Sequence, residues 1–345
     1  MKIFFSILVL GVALVNGWTD APSAIAGCVS TRALAPRQAL LLAAICNLLG
    51  AIIMAILCPT VAKTLYGIAD FGSDSRSAII SLSVALITVI AWATLAAARG
   101  LPTSESHALI SSVCGSAIAS NMSLDSIQLE EWKSVILGII ISTLPVMIFS
   151  LFIYKLSTRI FKEQDRRSTM RYFMRVQRFS AGISSFLHGA QDSQKFIGVY
   201  MLGLTFLGGG VGVSTFSADS SESVTFSIPL WITIACAASM TLGTLMGGSR
   251  IIKKVGCDMT ELDPLSSSAA DTASSSFLGV CSFLGIPTAT THAKTCAIMG
   301  IGLCKKGGTN PKIAAEVFLA WLLTFPICAI VSFLLSLLAN TFLLT

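Results

Sequence analysis

Six apolar runs in this chain are each long enough to cross a lipid bilayer as a helix. They lie at residues 38–57, 78–98, 132–154, 196–213, 226–246 and 314–343. Shorter stretches rich in Gly, Ser and Thr, at 102–120, 266–284 and 287–304, are poor candidates for full spans. Such segments lie at membrane depth only when protein covers them or they line a cavity, so we expect half-helices or re-entrant hairpins there. The pattern predicts an all-α polytopic membrane protein.

The composition agrees with this class and excludes several others. Hydrophobic residues make up 54% of the 345 positions and charged residues only 12%, about half the share usual in soluble domains. Soluble enzymes, nucleic-acid binders and disordered scaffolds are therefore excluded. The net charge of +6 comes mostly from one short segment, so it does not indicate a nucleic-acid partner. The partner that the composition predicts is membrane lipid.

The beginning of the chain imitates a secretory signal peptide, because Lys2 precedes the apolar residues 3–15. No small-residue cleavage pattern follows, and residues 17–20 belong to a motif that recurs later in the chain. We therefore interpret the segment as the first half of a broken transmembrane helix.

Residues 155–178 form the one clearly polar segment in the interior of the chain. They carry eight Lys or Arg side chains against two acidic ones. The positive-inside rule places such a segment in the cytoplasm. The sequence thus predicts a first transmembrane repeat at 1–154, a basic cytoplasmic linker at 155–178 and a second transmembrane repeat at 179–345.

Three short motifs occur once in each half, in the same order. GWTD at 17–20 matches GAQD at 189–192, GLPTSESHA at 100–108 matches GIPTATTHA at 285–293, and TLP at 143–145 matches TFP at 324–326. Duplicated halves with interrupted apolar segments at corresponding positions are typical of secondary transporters. The repeats are inverted if each half crosses the membrane an odd number of times.

The first repeated motif places a carboxylate, Asp20 and Asp192, within each half's apolar sequence. An ionised carboxylate at membrane depth is costly, so it should face a cavity or a cation. One such residue could be satisfied by a helix start or a buried arginine. A pair related by the repeat favours a functional site.

The second repeated motif combines a proline, suited to the first turn of a helix, with a cluster of hydroxyl groups. The free amides and the positive dipole ends of two such helix starts favour an anion, and the hydroxyls are suited to a tetrahedral oxyanion. Ordinary capping would explain a single turn of this kind, but two related turns indicate a site. The predicted anion-binding residues are Thr103, Ser104, Ser106, Thr288, Thr290 and Thr291.

The three histidines, His107, His188 and His292, all lie beside these motifs. Their spacing matches no familiar metal-binding pattern, so we expect them to support the broken backbone through hydrogen bonds. No metal centre and no cofactor are predicted.

These motifs, with HGAQDSQK at 188–195 and GSRIIKKVG at 248–256, resemble the PiT inorganic phosphate transporters from about residue 17 to the last span. The resemblance implies a helical fold of two inverted repeats, usually dimeric, that carries orthophosphate with a cation. It implies that the hydroxyl-rich turns hold phosphate. It further implies that Asp20 and Asp192, with their motif neighbours Ser23 and Gln191, bind or relay the coupling cation, for which Na⁺ at the two aspartates is one candidate. Thr19, Gln194 and Lys195 are expected to support this site.

The chain also departs from the pattern of that family. Thr19 and Ser23 stand at two positions where the family usually has asparagine, and Gln191 replaces the corresponding asparagine of the second half. Hydroxyl groups are poorer sodium ligands than carboxamides. Glu105 stands where threonine is common and Ala289 where serine is common. We therefore treat Glu105 as a candidate proton carrier, and the coupling ion is predicted to be H⁺ or Na⁺.

The leading interpretation is a symporter that imports inorganic phosphate by alternating access, forms a homodimer and resides in a plasma or bacterial inner membrane. An alternative with the same fold is a permease for sulfate or another tetrahedral oxyanion. A remote alternative is a membrane-embedded hydrolase built from Ser or Thr, His and Asp. Because nothing in the sequence places a nucleophile between a base and an oxyanion hole, we predict that the protein is not an enzyme.

Overall fold

The computed structural model describes residues 1–208, 213–214, 225–305 and 307–344, and most of these residues are helical. The α-helices are α1 Lys2–Thr19, α2 Ala21–Ser30, α3 Pro36–Leu57, α4 Thr60–Tyr66, α5 Ser75–Ala98, α6 Glu105–Asn121, α7 Leu129–Ile141, α8 Leu144–Ile160, α9 Arg166–Phe206, α10 Leu230–Met246, α11 Ser249–Lys253, α12 Pro264–Leu284, α13 Thr290–Gly302 and α14 Pro311–Leu344. A 3₁₀ turn at Leu124–Ser126 and a π-helical turn at Lys254–Asp258 complete the helical elements. Two strands of two residues each, β1 Val213–Ser214 and β2 Thr225–Phe226, pair antiparallel.

The predicted class, an all-α polytopic membrane protein, is confirmed. Within the described residues, five stretches are long and apolar enough to cross a membrane, namely Lys2–Ser30, Pro36–Leu57, Ser75–Ala98, Leu129–Ile160 and Pro311–Leu343. Helix α10 and the segment Ser249–Asp258, which meet at an angle of 67°, would make a sixth. The polar helix α9 packs along α3 and α12.

The first apolar segment is a broken helix, as predicted, and the break falls at Asp20, between α1 and α2. Pro22 explains the position of the break because its ring nitrogen carries no hydrogen to continue the helical ladder. The corresponding residue of the second half, Asp192, lies in an unbroken helix, because α9 runs continuously from Arg166 to Phe206. No proline follows Asp192, so the helix has no reason to end there.

The three stretches rich in Gly, Ser and Thr form α6, α12 and α13. Together with α5, which covers the apolar run at 78–98, they make two helical hairpins, α5–α6 and α12–α13, that enter from opposite ends of the molecule. Helix α12 runs parallel to α9, with Ser180 beside Asp271 and Gln191 beside Ser282. Helix α1 runs antiparallel to α9, since Tyr200 bonds Ser6 near its start. Helix α5 follows α1 in the same direction. The tips of the two hairpins therefore approach each other from opposite sides.

Each half of the chain packs its helices against the other half in the same way. The contact of α1 with α10 corresponds to the contact of α9 with α3. Likewise, the contact of α6 with α14 corresponds to the contact of α13 with α8. At the first pair of crossings, Gly50 lies against the backbone of α9 and Gly243 against the backbone of α1, so closely that a Cβ atom on either would collide with a carbonyl group. At the second pair of crossings, α6 with α14 and α13 with α8, a serine hydroxyl donates to a backbone carbonyl oxygen of the facing helix. Ser332 donates to the Ser112 carbonyl oxygen and Ser150 to the Ala297 carbonyl oxygen, both at 2.8 Å. These matched contacts are those of two inverted repeats.

Three details differ from the sequence-based expectation. The apolar run at 132–154 forms two helices that separate at Ser142–Thr143, whereas the matching Pro326 lies inside the uninterrupted α14. The basic segment 155–178 is mostly helical, because it contains no Gly or Pro and its Lys and Arg residues are good helix formers. The run at 196–213 is the end of α9, and residues 209–212 lie outside the described part. The domain boundaries proposed from the sequence stay a prediction.

Candidate functional site

The candidate site lies where the tips of the two hairpins meet. Gly100 and Gly285, the first residues of the duplicated motif, both adopt left-handed backbone angles, with φ of +67° and +71°. This conformation suits glycine, and it turns each chain into the short segment that leads to Pro102 and Pro287. Helices α6 and α13 each begin three residues after this proline, at Glu105 and Thr290, with their first turns buried. The duplicated glycine thus reverses the chain, and a helix begins at membrane depth a few residues beyond each duplicated proline.

The hydroxyl groups predicted to bind an anion are all buried, but their surroundings differ. Ser104 caps α6 by accepting a hydrogen bond from the His107 amide at 3.3 Å. Thr290 donates to Asp192 Oδ2 at 3.3 Å. Among the described residues, the Thr288 hydroxyl has no hydrogen-bond partner, which leaves it free to contact a bound ligand. Thr103 lines a cavity of about 380 Å³ together with Arg99 and other residues.

Three acidic side chains from both halves meet behind these helix starts. The Asn16 side-chain amide donates to Asp192 Oδ2 at 3.2 Å and lies 3.5 Å from Asp20 Oδ2, so it bridges the two repeated aspartates. Thr19 donates a hydrogen bond to Glu105 Oε1. The backbone amide of Glu105 also lies beside the Asp20 carboxylate. The first turn of α6 and the two repeated aspartates therefore form one buried cluster.

Lys195 connects this acidic cluster to the hydroxyl groups. Its Nζ atom lies 2.7 Å from Asp192 Oδ1 and 2.5 Å from Ser106 Oγ, and it donates a third hydrogen bond to the Thr288 carbonyl oxygen. The side chain is only 1% exposed. An ammonium group has three donors and no acceptor, so these three oxygens satisfy it completely. One buried cation thereby ties α9 to the starts of both hairpin helices.

The other predicted site residues of the second half hold this arrangement together. Gln191 donates to Ser282 Oγ at 3.0 Å and accepts from the Thr288 amide at 3.4 Å. Gln194 accepts from the Ala62 amide at 3.3 Å. His188 places Nδ1 3.2 Å from Asn47 Oδ1 and Nε2 3.3 Å from Asp192 Oδ2.

The remaining site residues predicted from the sequence pack around the hairpin tips. His107 and His292 contact each other edge to face, with ring centroids 4.4 Å apart. His292 also stacks on Trp321 at 3.8 Å. Ser23 donates to the Asp20 carbonyl oxygen at 2.7 Å and so closes the first turn of α2. The histidines were predicted to support the broken backbone through hydrogen bonds. Instead, Nδ1 of His107 and both ring nitrogens of His292 have no hydrogen-bond partner among the described residues, so these two rings contribute packing contacts.

Two buried groups were missed in the sequence. Asn16 lies one helical turn before Asp20, and a single amide in an otherwise apolar run was the available signal. The second group is an ion pair between Lys294 on α13 and Asp271 on α12, with exposures of 3% and 1%. Ser180 donates to the same aspartate at 2.9 Å. Their signal was a charged residue within each of two stretches predicted to be at membrane depth.

The charge balance restricts what this site does. Asp20, Glu105 and Asp192 are at most 4% exposed, and Lys195 is the one ammonium group in direct contact with this cluster among the described residues. Three ionised carboxylates and one ammonium would leave an excess of negative charge in a dehydrated space. Two helix N-termini with free hydroxyl groups nevertheless favour an anion in the same place. Both conditions are met only if protons or metal cations neutralise carboxylates while the anion is bound.

An inverted-repeat membrane fold, two opposed hairpins and a buried site at their tips define the class as a secondary transporter. The model of the phosphate transporter family matches residues 16–332, and the chain belongs to this family. The chain is 31% identical to a protein of Bacillus subtilis (strain 168) named "Probable low-affinity inorganic phosphate transporter", over 95% of this chain and 94% of the relative. A protein of Rhizobium meliloti (strain 1021) with the same name is 32% identical, over 92% and 90%.

The fold is also similar to that of a solved structure, "The sodium-dependent phosphate transporter". The two chains superpose with a TM-score of 0.85 and 19% sequence identity over 99% of each. Membership of a transporter family confirms the resemblance noted in the sequence and the prediction that the protein is a transporter and not an enzyme. It is a multi-pass protein of the cell membrane.

Proposed function

We propose that this protein imports inorganic phosphate, which binds between the N-termini of α6 and α13 and is accompanied by a cation. The observation that carries the proposal is the meeting of two helix starts, from hairpins of opposite direction, beside an unpartnered Thr288 hydroxyl and the Lys195 ammonium group. Family membership and the names of the relatives give the anion as phosphate. No cofactor is needed for this process.

Phosphate differs from sulfate in the proton that it carries near neutral pH. A carboxylate at the site accepts a hydrogen bond from that proton, whereas sulfate leaves the carboxylate unpaired and repels it. Asp20 is suitably placed for this role, because its carboxylate lies beside the backbone amide of Glu105, the first residue of α6. A permease for sulfate or another tetrahedral oxyanion is the alternative, and it would show no such preference.

The coupling cation neutralises the acidic cluster while phosphate is bound. We propose a proton carried by Glu105 as this cation, with Asp20 and Asp192 as the neighbouring carboxylates and Lys195 as the facing positive charge. A sodium ion at Asp20 is the competing possibility. Ser23 supports that region through the Asp20 carbonyl group.

We propose transport by alternating access, which the inverted arrangement supports. The site lies between two hairpins that open toward opposite ends of the molecule, so a rocking motion of one repeat against the other would expose it to each side in turn. A carrier of this kind, unlike a channel, exchanges a substrate ion on one side of the membrane for a substrate ion on the other side. Proteoliposomes loaded with unlabelled phosphate should therefore take up labelled phosphate faster than empty ones. A homodimer, as suggested by the family resemblance, stays a prediction.

The test uses purified protein in proteoliposomes and radiolabelled phosphate, with a proton gradient and a sodium gradient imposed separately. We expect the proton gradient to drive uptake and a large excess of sulfate to leave it unchanged. Protein-free liposomes and the variant Asp192→Asn serve as controls without transport. Competition by sulfate equal to that by unlabelled phosphate would replace the proposal with the oxyanion permease. If uptake required sodium, the coupling cation would be Na⁺ at a sodium site, and the proposal of a proton on Glu105 would be wrong.

A further inference from the structure

The atoms around the end of the Lys195 side chain are those of a cation site. They are a carboxylate oxygen of Asp192, a hydroxyl oxygen of Ser106 and the carbonyl oxygen of Thr288, all within hydrogen-bond distance of Nζ. Carboxylate, hydroxyl and carbonyl oxygens are the ligands that hard metal cations take in proteins. They come from α9, from α6 and from the segment before α13, and thus from both halves of the chain.

The corresponding place in the first half is different. Lys195 follows Asp192 by three residues, and the residue that follows Asp20 by three is Ser23. The Ser23 hydroxyl is turned back to the Asp20 carbonyl oxygen and carries no charge. The two repeated aspartates therefore have unequal partners. Both contact the Asn16 amide, but Asp192 also pairs with the Lys195 ammonium group, whereas Asp20 has the backbone amide of Glu105.

We infer that the Lys195 ammonium group is a resident cation, which permanently fills the site at Asp192 that a mobile coupling cation would otherwise occupy. Only the side of Asp20 and Glu105 then exchanges a cation during transport. This inference rests on the proposed function for its consequence in coupling, but the occupied site itself is a property of the fold.

The inference predicts that removal of the ammonium group opens a metal site. Lys195→Met keeps an unbranched side chain but shortens it by one heavy atom and removes its charge, so the oxygens of Asp192, Ser106 and Thr288 become available to Na⁺. We expect the melting temperature of this variant, measured in detergent without phosphate, to rise with added NaCl but not with N-methylglucamine chloride. The unmodified protein should respond equally to the two salts. Because no phosphate is present, this result does not depend on the proposed function.

Two further variants keep the test decisive if Lys195→Met folds poorly. The double variant Lys195→Met with Asp192→Asn removes the carboxylate that would bind Na⁺, so it should show no specific response to sodium. Lys305→Met is the control, since it removes a partly exposed lysine that pairs with Asp263. Water can solvate the remaining Asp263 carboxylate, so this variant should behave like the unmodified protein. A sodium response in either of these variants would overturn the inference.

Transport provides the second measurement. In proteoliposomes, Lys195→Met should lose uptake by at least about tenfold in sodium-free buffer, because it leaves a buried carboxylate unpaired. Addition of Na⁺ on both sides should restore much of this uptake. A rise in the KM for phosphate that no cation reverses would mean that Lys195 binds phosphate directly, and the inference would be wrong. If the unmodified protein took up no phosphate, this result would count against the proposed function alone.

Discussion

The side-chain amide of Asn16 lies 3.2 Å from Asp192, although the two residues belong to different halves of the chain. The same amide lies 3.5 Å from Asp20 on its own helix. One neutral group therefore connects the two repeated carboxylates across the pseudo-twofold arrangement. Its Oδ1 atom is buried and has no hydrogen-bond partner among the described residues, so it is available to a cation or a ligand proton.

Replacement of Asn16 by leucine should reduce phosphate uptake by at least about tenfold, because both aspartates would lose a buried hydrogen bond to a charged group. Uptake in proteoliposomes, normalised to the amount of inserted protein, is the measurement. Asn340→Ala is the matched control, since it removes an amide hydrogen bond to Ser81, 2.9 Å long, between α14 and α5. Unchanged uptake by the leucine variant would show that the bridge has no part in transport.

Glu105→Gln should abolish the response of uptake to a proton gradient. In the unmodified protein, a fall in external pH at constant internal pH should accelerate uptake, because the carrier group binds its proton outside and releases it inside. The glutamine variant cannot bind that proton, so its rate should be flat across the same pH range apart from the change in phosphate protonation. The exposed Glu130→Gln, on the surface pair with Lys133, should keep the normal response. An unaltered pH response in Glu105→Gln would exclude this residue as the proton carrier.

Thr288→Val should raise the KM for phosphate by about tenfold with a smaller effect on the maximal rate, as expected for the loss of one hydrogen bond to a charged ligand. The valine has nearly the same shape, so the start of α13 should be preserved. Thr272→Val, at an exposed position on α12 where the hydroxyl bonds the Ser268 carbonyl oxygen, is the control. Equal KM values in the two variants would remove Thr288 from the phosphate site.

The buried pair of Lys294 and Asp271 should contribute to stability through its charge balance. Lys294→Met leaves a carboxylate buried without its partner and should destabilise the protein by about 3–5 kcal/mol. The double variant Lys294→Met with Asp271→Leu removes both charges and should recover most of that loss. Thermal unfolding in detergent measures all three proteins. A double variant no more stable than Lys294→Met would mean that the two side chains do not act as a pair.

Much of the fold could be predicted because its signals are local. The apolar runs at 38–57 and 78–98 match α3 and α5 to within three residues, since bilayer thickness alone sets the length of an apolar helix. The duplicated motif at 100–108 and 285–293 predicted two hairpin tips for a similarly local reason, because a glycine with a left-handed backbone reverses the chain just before each helix begins. The break at Asp20 and its absence at Asp192 depend on a single proline, which a comparison of the repeats alone overlooked.

By itself, the sequence determined that this chain crosses a membrane, that its halves are related and that acidic and hydroxyl groups lie at matching positions. Those features depend only on the spacing of apolar residues and on the order of the motifs along the chain. Only the tertiary structure decided which groups meet: that Asn16 reaches Asp192, that Lys195 is enclosed by three oxygens, and that Lys294 pairs with Asp271. The physical reason is that such distances depend on how closely helices of different halves approach. That approach is set by packing contacts such as that of Gly50 against the backbone of α9, which join residues far apart in the sequence.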